Sequence, residues 1–240
     1  SKDAKSFKIL HMKTERKKLK RILNVKLIHC GNRNLNTPDD HAQKNIFFMP
    51  VGLFAIANAL KKNGHDVEIL HSDLLDTTDL RNEIDFDTLD VVGFDCHWVN
   101  QSLAVMETAK LLKKIKPSVF IFTGGFTASF FSKEIIEEYP QIDAVIRGDG
   151  EVPVVELCGS LAKSEADLFH VQNLTWRNHT GKTIENSFTY TGGEKEMAYM
   201  DFGQVELLRK WQLYRDLSRY WTNFTTLADS PLFMLPIGRG

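Results

Sequence analysis

The chain has 240 residues, of which 42% are hydrophobic and 25% are charged, and its formal net charge is -1. These proportions are typical of a globular protein, and the near-neutral charge offers no overall attraction to nucleic acid or to a membrane surface. Cys30, Cys96 and Cys158 are far apart and form no CxxC pair. This argues against a disulfide framework or an internal zinc site and favours a cytoplasmic location. Neither a transmembrane-length apolar run nor a signal segment is recognisable.

Residues 1–24 form a basic leader that ends in the Lys- and Arg-rich run 16–21. A nucleic-acid-binding arm is one interpretation of such a run. No aromatic residues interleave with its charges, so we favour a solvated leader or helix face and expect no nucleic-acid partner.

From residue 25 onwards, strand and helix patterns alternate. Strands are predicted at 25–30, 66–70, 89–94, 119–123 and 143–146, and helices at 51–63, 76–84, 102–115, 130–138 and 151–162. This alternation predicts βαβ units and a parallel sheet covered on both faces. The expected fold class is therefore α/β, a doubly wound five-stranded parallel sheet of the flavodoxin-like or Rossmann type with strand order 2-1-3-4-5.

The part of the chain after this sheet has a different pattern. Residues 171–177 and 182–188 flank a turn and predict a β-hairpin. A helix is expected over 203–220 and an extended segment over 231–237. We therefore assign residues 25–190 to one domain with a terminal hairpin and residues 191–240 to a helical linker.

The predicted ligand site lies beyond the carboxyl ends of the strands, where open parallel sheets bind ligands near the switch in strand order. Gly124 and Gly125 follow the fourth strand and would leave room for a flat group. The segment 148–151 follows the fifth strand and opens a helix, so its amides could donate to acceptors. Either glycine pair alone is explained by a tight turn, but two pairs at successive strand ends favour a ligand. The long first loop has no nucleotide-binding motif.

Four segments together resemble a known family, the cobalamin-binding domain that precedes the catalytic barrel in many radical-SAM enzymes. They are MPVGL at 49–53, DVVGF at 90–94, TGGFT at 123–127 and IDAVIRGDGE at 142–151. The family form of the last segment is iDxvvxGEGE, so Asp149 is a conservative departure. The predicted hairpin also resembles the strand pair that follows in this family, and the resemblance covers residues 25–188.

The resemblance also interprets the end of the chain. In such enzymes an Arg-Gly pair, here Arg239-Gly240, directly precedes the CxxxCxxC motif whose thiolates hold a [4Fe–4S] cluster. The chain is therefore expected to be truncated before the radical-SAM barrel and not to be catalytic by itself. The implied parent is an enzyme, a methyltransferase that moves a methyl group from methylcobalamin to an unreactive carbon or phosphorus. SAM would supply the radical initiator and the methyl group that recharges cobalt.

The resemblance further implies that no histidine holds the cobalt from below. In some relatives the motif Asp-x-His-x-x-Gly supplies that ligand, and aligning its glycine with Gly52 places Met49 at the histidine and Phe47 at the aspartate. This pattern resembles the His-off branch of the family. His41 and His97 are the alternative ligands, each weighed against an ordinary surface or hydrogen-bonded histidine.

The cofactor contacts that the resemblance implies follow each strand of the predicted site. They are Met49, Pro50 and Gly52 at the first helix; Asp95, Cys96, His97 and Ser102 beside the nucleotide tail or lower face, with Trp98 at the corrin edge; Gly124, Gly125, Phe126 and Thr127 along the tail's channel; and Gly148, Asp149, Gly150 and Glu151 against corrin side chains. Cys96 could instead be a soft cobalt ligand or a buried apolar side chain. Trp98 could equally be ordinary core.

Two other classes of protein remain as alternatives. A phospho-receiver domain shares the fold, with Asp95 at the acceptor position and Thr123 ending the fourth strand. However, the first strand ends in residues 29–31 without the acidic pair that would bind Mg²⁺, and Arg147 stands where a lysine is expected. A non-enzymatic cobalamin module is the second alternative, against which Arg239-Gly240 favours an enzyme.

Overall fold

A computed structural model describes residues 21–31, 50–75, 80–197 and 201–218. Its strands form one seven-stranded sheet in the order 2-1-3-4-5-6-7. The strands are β1 Asn24–His29, β2 Asp66–His71, β3 Val91–Asp95, β4 Phe120–Gly124, β5 Ala144–Ile146, β6 Leu174–Arg177 and β7 Thr183–Glu185. The first five pair in parallel, and β6 and β7 run antiparallel to their neighbours.

Helices connect the parallel strands and continue after the sheet. The α-helices are α1 Val51–Lys62, α2 Val99–Ile115, α3 Phe126–Phe130, α4 Ser132–Glu138, α5 Glu151–Leu161, α6 Glu194–Met197 and α7 Trp211–Ser218, with 3₁₀ turns at Ser72–Leu74, Leu80–Asn82 and Phe202–Leu207. Within the described parts of the chain, none of these helices has the length and hydropathy needed to cross a membrane.

The predicted α/β fold and its parallel strand order 2-1-3-4-5 are confirmed. The sheet has seven rather than five strands because the hairpin joins it, with β6 pairing along the free edge of β5. Such pairing satisfies backbone groups that an open edge would leave exposed. The helix predicted at 130–138 is two helices, and the first begins at Phe126. The helix predicted at 102–115 begins at Val99. The leader and the segment 231–237 lie outside the described residues.

The core lies on both faces of the sheet because successive strand residues point to opposite sides. In β1, Val25 and Leu27 join one apolar cluster and Ile28 joins the other. The first cluster also receives buried residues of α1 and α5, and the second receives those of α2 and α4. The helices therefore remove both faces of the parallel sheet from water, which is the main stabilising term of this architecture.

The segment 201–218 packs on the outer strand of the sheet. Leu208 is fully buried and forms a parallel β-bridge with Ile69. The Arg209 Nε donates to Glu68 Oε1 at 2.8 Å, on the same strand. These contacts cover the open edge of β2. The boundary predicted at residue 190 stays a prediction, but this later segment shares the first core cluster.

Replacing Leu208 with alanine tests whether this segment belongs to the folded core. Loss of a fully buried leucine side chain is expected to lower the free energy of unfolding by about 2–5 kcal/mol in urea denaturation. Gln212→Ala, at an exposed position of α7, is the control and should change it by less than about 0.5 kcal/mol. Equal stability of the two variants would show that the segment does not contribute to the core.

Candidate functional site

The ends of three adjacent parallel strands lie level with one another. The strand register pairs His29 of β1 with Asp95 of β3, and Asp95 with Gly124 of β4. The chain leaves β1 towards β2 on one side and returns to β3 on the other, so the switch in strand order falls between β1 and β3. This is where doubly wound folds bind their ligands.

A buried ion pair lies at this switch point. His29 Nδ1 and Asp95 Oδ2 are 2.7 Å apart, and the rings of His29 and His71 lie 4.6 Å apart. Burial lowers the pKa of His29, but the charge and hydrogen bond of Asp95 outweigh it and raise that pKa above its ordinary value. Burial and the neighbouring His29 charge hold the pKa of His71 well below its ordinary value. Of the two histidines, His29 is therefore the one that takes up a proton more readily.

The two cysteines at this edge are buried thiols. Burial and the Asp95 charge raise the pKa of Cys96 to about 11, and the same two effects raise the pKa of Cys30. Since the thiolate is the nucleophile and the metal ligand, neither side chain is activated for either role at neutral pH. The structure therefore favours the interpretation of Cys96 as a buried apolar side chain.

Gln101 joins the end of β1 to the loop after β3. Its Oε1 accepts from the backbone N–H groups of His97 and Trp98, both at 3.1 Å. Its Nε2 donates to the carbonyl of Cys30 at 3.2 Å. Sequence reasoning missed this residue, although a glutamine three positions into a helix is a known N-terminal signature. The contact fixes the direction in which the candidate residues 95–98 leave the sheet.

The loop after β4 packs directly on the loop after β3. Thr127 Oγ1 donates to the His97 carbonyl at 2.8 Å, and the Ala128 N–H donates to the Cys96 carbonyl at 3.2 Å. Gly125 has φ 100°, and a Cβ there would lie 3.0 Å from the Cys96 carbonyl. A side chain at this position would thus be strained by its backbone and by its neighbour. The two predicted segments form one surface.

The loop after β5 is tied into the same surface through Ser129. The Gly148 N–H donates to Ser129 Oγ at 2.9 Å, and that hydroxyl donates to the Gly125 carbonyl at 2.7 Å. The Gly148 amide, which we expected to be available to a ligand, is therefore bonded within the protein. Ser129 is a second residue that sequence reasoning missed, and its position after the TGGFT segment carries no signal of this bond.

The remaining predicted residues of this loop serve the packing of the domain. Asp149 Oδ2 accepts from the Gly192 N–H at 2.8 Å. A Cβ at Gly150 would lie 2.8 Å from Ile56 Cδ1, so α1 and α5 approach each other closely at this glycine. Glu151 is buried in the first turn of α5, where a carboxylate favours the positive end of the helix.

The other predicted contacts lie around the start of α1 and α2. Pro50 is buried and Gly52 is exposed, and a Cβ at Gly52 would lie 3.7 Å from His97 Nε2. Ser102 Oγ donates to the Val99 carbonyl of its own helix at 2.6 Å. Met49 and His41 lie outside the described residues. The structure thus brings Gly52 and His97 together and leaves Ser102 bonded locally.

Large apolar side chains are exposed around this edge. Trp98, Val99, Phe126, Phe130 and Phe188 are each more than half exposed. The rings of Phe126 and Phe130 form an edge-to-face pair with centroids 4.9 Å apart. Adjacent exposed aromatic residues indicate a ligand or partner surface rather than an ordinary protein exterior. We call these five residues the apolar rim.

The site residues fit cobalamin, whose periphery carries many amide groups around a large flat ring. Asp95 Oδ1 is buried and has no hydrogen-bond partner among the described residues, so it offers an acceptor for an amide N–H. The apolar rim offers contact area for the ring system. Within the described residues no group of three or more metal-ligating side chains is present.

The structure is an α/β domain with a candidate ligand site at the carboxyl ends of its parallel strands. Residues 47–158 match the B12 binding domain. This match confirms the resemblance to a cobalamin-binding domain that was drawn from the sequence.

Individual proteins are also similar to this chain. The chain is 32% identical over 115 residues to hopanoid C-3 methylase of Methylococcus capsulatus, covering 48% of this chain and 22% of that protein. It is 26% identical over 140 residues to an anaerobic magnesium-protoporphyrin IX monomethyl ester cyclase of Synechocystis sp., covering 53% of this chain and 26% of that protein.

The fold also matches a solved structure, that of the cobalamin-dependent S-adenosylmethionine radical enzyme OxsB with aqua-cobalamin and S-adenosylmethionine bound. The TM-score is 0.59 at 17% identity, over 81% of this chain and 26% of that chain. The chain thus spans about a quarter of the length of the proteins it matches.

Gly125→Ala tests the close contact between the two loops. Because of the positive φ and the nearby Cys96 carbonyl, this substitution is expected to lower the free energy of unfolding by about 1–3 kcal/mol in urea denaturation. Gly159→Ala is the control, because its added Cβ meets nothing within 4 Å. That helical position should gain about 0.5–1 kcal/mol. A Gly125→Ala protein as stable as the wild type would contradict the geometry of this contact.

His29→Gln tests the charge of the buried pair, compared with its parent in a His71→Gln background so that His71 does not titrate. Because the folded-state pKa of His29 is raised, the stability it contributes is full below about pH 6.5, its ordinary pKa. That contribution is lost as the pH rises through the folded-state pKa. The unfolding free energies of the two proteins should therefore differ most at low pH, where His29 is charged. A constant difference would contradict the assignment of the proton.

Proposed function

We propose that this chain binds cobalamin at the carboxyl edge of its sheet and is the cobalamin-binding part of a radical-SAM methyltransferase. The observation that carries the proposal is the buried, unpartnered carboxylate oxygen of Asp95 at the switch point of a domain that matches the B12-binding family. The apolar rim around the same edge supports it, because a cofactor as large as cobalamin needs extensive apolar contact.

The proposed division of contacts follows the loops of the site. Asp95, Cys96 and His97 lie towards the nucleotide tail or lower face, and the joined loop of Gly124 to Thr127 borders the tail. Trp98 and its neighbours in the apolar rim pack against the ring system and exclude water from it. The segment 148–151 supports the corrin side chains through its other backbone groups, because the Gly148 N–H and the Asp149 carboxylate are bonded within the protein.

When bound, cobalamin supplies a cobalt–carbon bond from which a methyl group is transferred. The residues of this chain bind and orient the cofactor and keep water from its face. His29 keeps a proton on Nδ1 at the floor of the site, next to the Asp95 carboxylate. The cobalt is proposed to lack a lower imidazole, since Met49 and not a histidine aligns with the family's ligand position.

The other cofactors are proposed for the rest of the parent protein. A [4Fe–4S] cluster and SAM would be held by the radical-SAM barrel of the parent protein. The similarity to hopanoid C-3 methylase supports methyl transfer as the reaction. A cytoplasmic parent is part of the same proposal.

A cobalamin-assisted reaction other than methyl transfer is the second candidate. The similarity to a protein named as a cyclase favours it, at 26% identity over 140 residues. Both candidates place the cofactor at the same edge of the sheet. The assay of methyl transfer to a substrate in the full-length parent separates them.

Reconstitution with hydroxocobalamin tests the binding proposal. The chain is incubated with the cofactor and desalted, and the visible spectrum and the cobalt-to-protein ratio are recorded. We expect retention of about one cobalt per chain, as for a single site at one switch point. His41→Ala and His97→Ala should retain it equally, because neither histidine is proposed to hold the cobalt.

Loss of cobalt in either variant would implicate that histidine as a ligand or contact of the cofactor, and loss in His41→Ala would contradict the proposal that no histidine of the first loop is needed. Absence of retention in the wild-type chain would contradict cobalamin binding by this domain. His179→Ala, at an exposed turn of the hairpin, is the matched control for removal of an imidazole and should not alter retention.

A further inference from the structure

We propose that His29 is a positioning residue for the cofactor: it holds Asp95 so that the second carboxylate oxygen accepts a hydrogen bond from cobalamin, and cofactor binding therefore weakens as the pH rises. This inference rests on the proposed function. It adds a residue of β1 that no motif of the site contains, and it assigns a pH dependence to the cofactor site.

The geometry of Asp95 calls for an additional donor. Its side chain is 10% exposed, and its Oδ2 is 2.7 Å from His29 Nδ1. Its Oδ1 has no hydrogen-bond partner in the described part of the chain. A buried carboxylate oxygen without a donor is costly, and such atoms are rare in native proteins. The position of Asp95 at the carboxyl end of β3 places this requirement in the cofactor site.

The polar neighbours of Asp95 are engaged elsewhere. Gln101 uses its amide on the Cys30 carbonyl and its oxygen on the loop N–H groups. Thr127 donates its hydroxyl to the His97 carbonyl. Cobalamin carries primary amides and a ribose hydroxyl, which are donors of the class that a carboxylate accepts. The donor we assign to Asp95 Oδ1 is one of these groups.

His29 supplies the charge that makes this arrangement favourable. The groups that act on its charge are His71 from β2, Asp73 from the following 3₁₀ turn and Asp95 from β3, and the charge of Asp95 also acts on the thiols of Cys30 and Cys96. The thiols stay protonated and His71 is neutral, so His29 is the cation that compensates Asp95. Its Nδ1–H also fixes the rotation of the carboxylate, which directs the second oxygen.

The direction of the pH effect follows from desolvation. Bound cobalamin covers the pair and removes its remaining water, which is costly for a carboxylate without a compensating cation. Cofactor binding is therefore strongest when His29 carries its proton. As the pH rises through the pKa of His29, which Asp95 holds above its ordinary value, the affinity falls and binding takes up a proton.

The test uses methylcobalamin in dim red light, because its methyl ligand does not titrate. Equilibrium dialysis from pH 6 to pH 9 is expected to show a wild-type affinity that falls about tenfold or more with rising pH. His29→Gln keeps an N–H donor for Asp95 but does not titrate, so its affinity should be independent of pH. Asp95→Asn should bind about tenfold to a hundredfold more weakly at pH 6.

His170→Gln is the matched control, because this histidine bonds to Ser160 near the C-terminal end of α5, whereas the site lies at the N-terminal end of that helix. It should reproduce the wild-type profile. Calorimetric titration in two buffers of different ionisation enthalpy adds a second readout. Wild-type protein should take up protons on binding near the pKa of His29, and His29→Gln should take up none.

A wild-type pH profile in His29→Gln would overturn the inference, as would wild-type affinity in Asp95→Asn. Either result with intact cobalamin binding leaves the proposed function standing. If neither the wild type nor any of the variants binds methylcobalamin at any pH, the proposed function fails and the inference fails with it. Urea denaturation identifies a variant that does not fold, and the His29→Gln profile then decides the question without Asp95→Asn.

Discussion

The level register of the parallel strands β1, β3 and β4 is the constraint on which the site depends. Parallel pairing puts His29, Asp95 and Gly124 side by side at one edge, although they are far apart in the chain. Every further contact builds on this alignment. Gln101 joins the first loop to the second, Thr127 joins the second to the third, and the domain thereby presents three loops as one surface.

The electrostatics of that edge follow from the same alignment. Two histidines end neighbouring strands, and their buried rings cannot both be charged at little cost. Asp95 raises the pKa of His29, whereas burial and the His29 charge lower the pKa of His71, so His29 is the one that protonates first. The result is a site floor with a balanced ion pair and protonated thiols. Such a floor suits a cofactor that is bound through hydrogen bonds and apolar contact.

Much of the fold could be predicted from the sequence because the apolar strand runs are short and regularly spaced. The segments around Gly124 and Gly148 belong to loops that the structure brings into contact at one edge of the sheet. The pairing of β6 with β5 could not be read, because a hairpin looks the same whether it stands apart or joins a sheet edge. His29 and Gln101 were missed because their roles depend on tertiary neighbours. The predicted strand order places the ends of β1 and β3 side by side, so the sequence contained a signal for the pair His29 and Asp95.

The central claim, that cobalamin lies on the three joined loops, is tested most directly by hydrogen exchange with and without the cofactor. The expected result is slower amide exchange in residues 95–101, 124–130 and 147–151 and no change in the hairpin turn at 178–181. Those loops carry four of the five residues of the apolar rim and the unpartnered oxygen of Asp95. Protection confined to other parts of the chain, or none in these loops when cobalamin is retained, would contradict the placement of the cofactor.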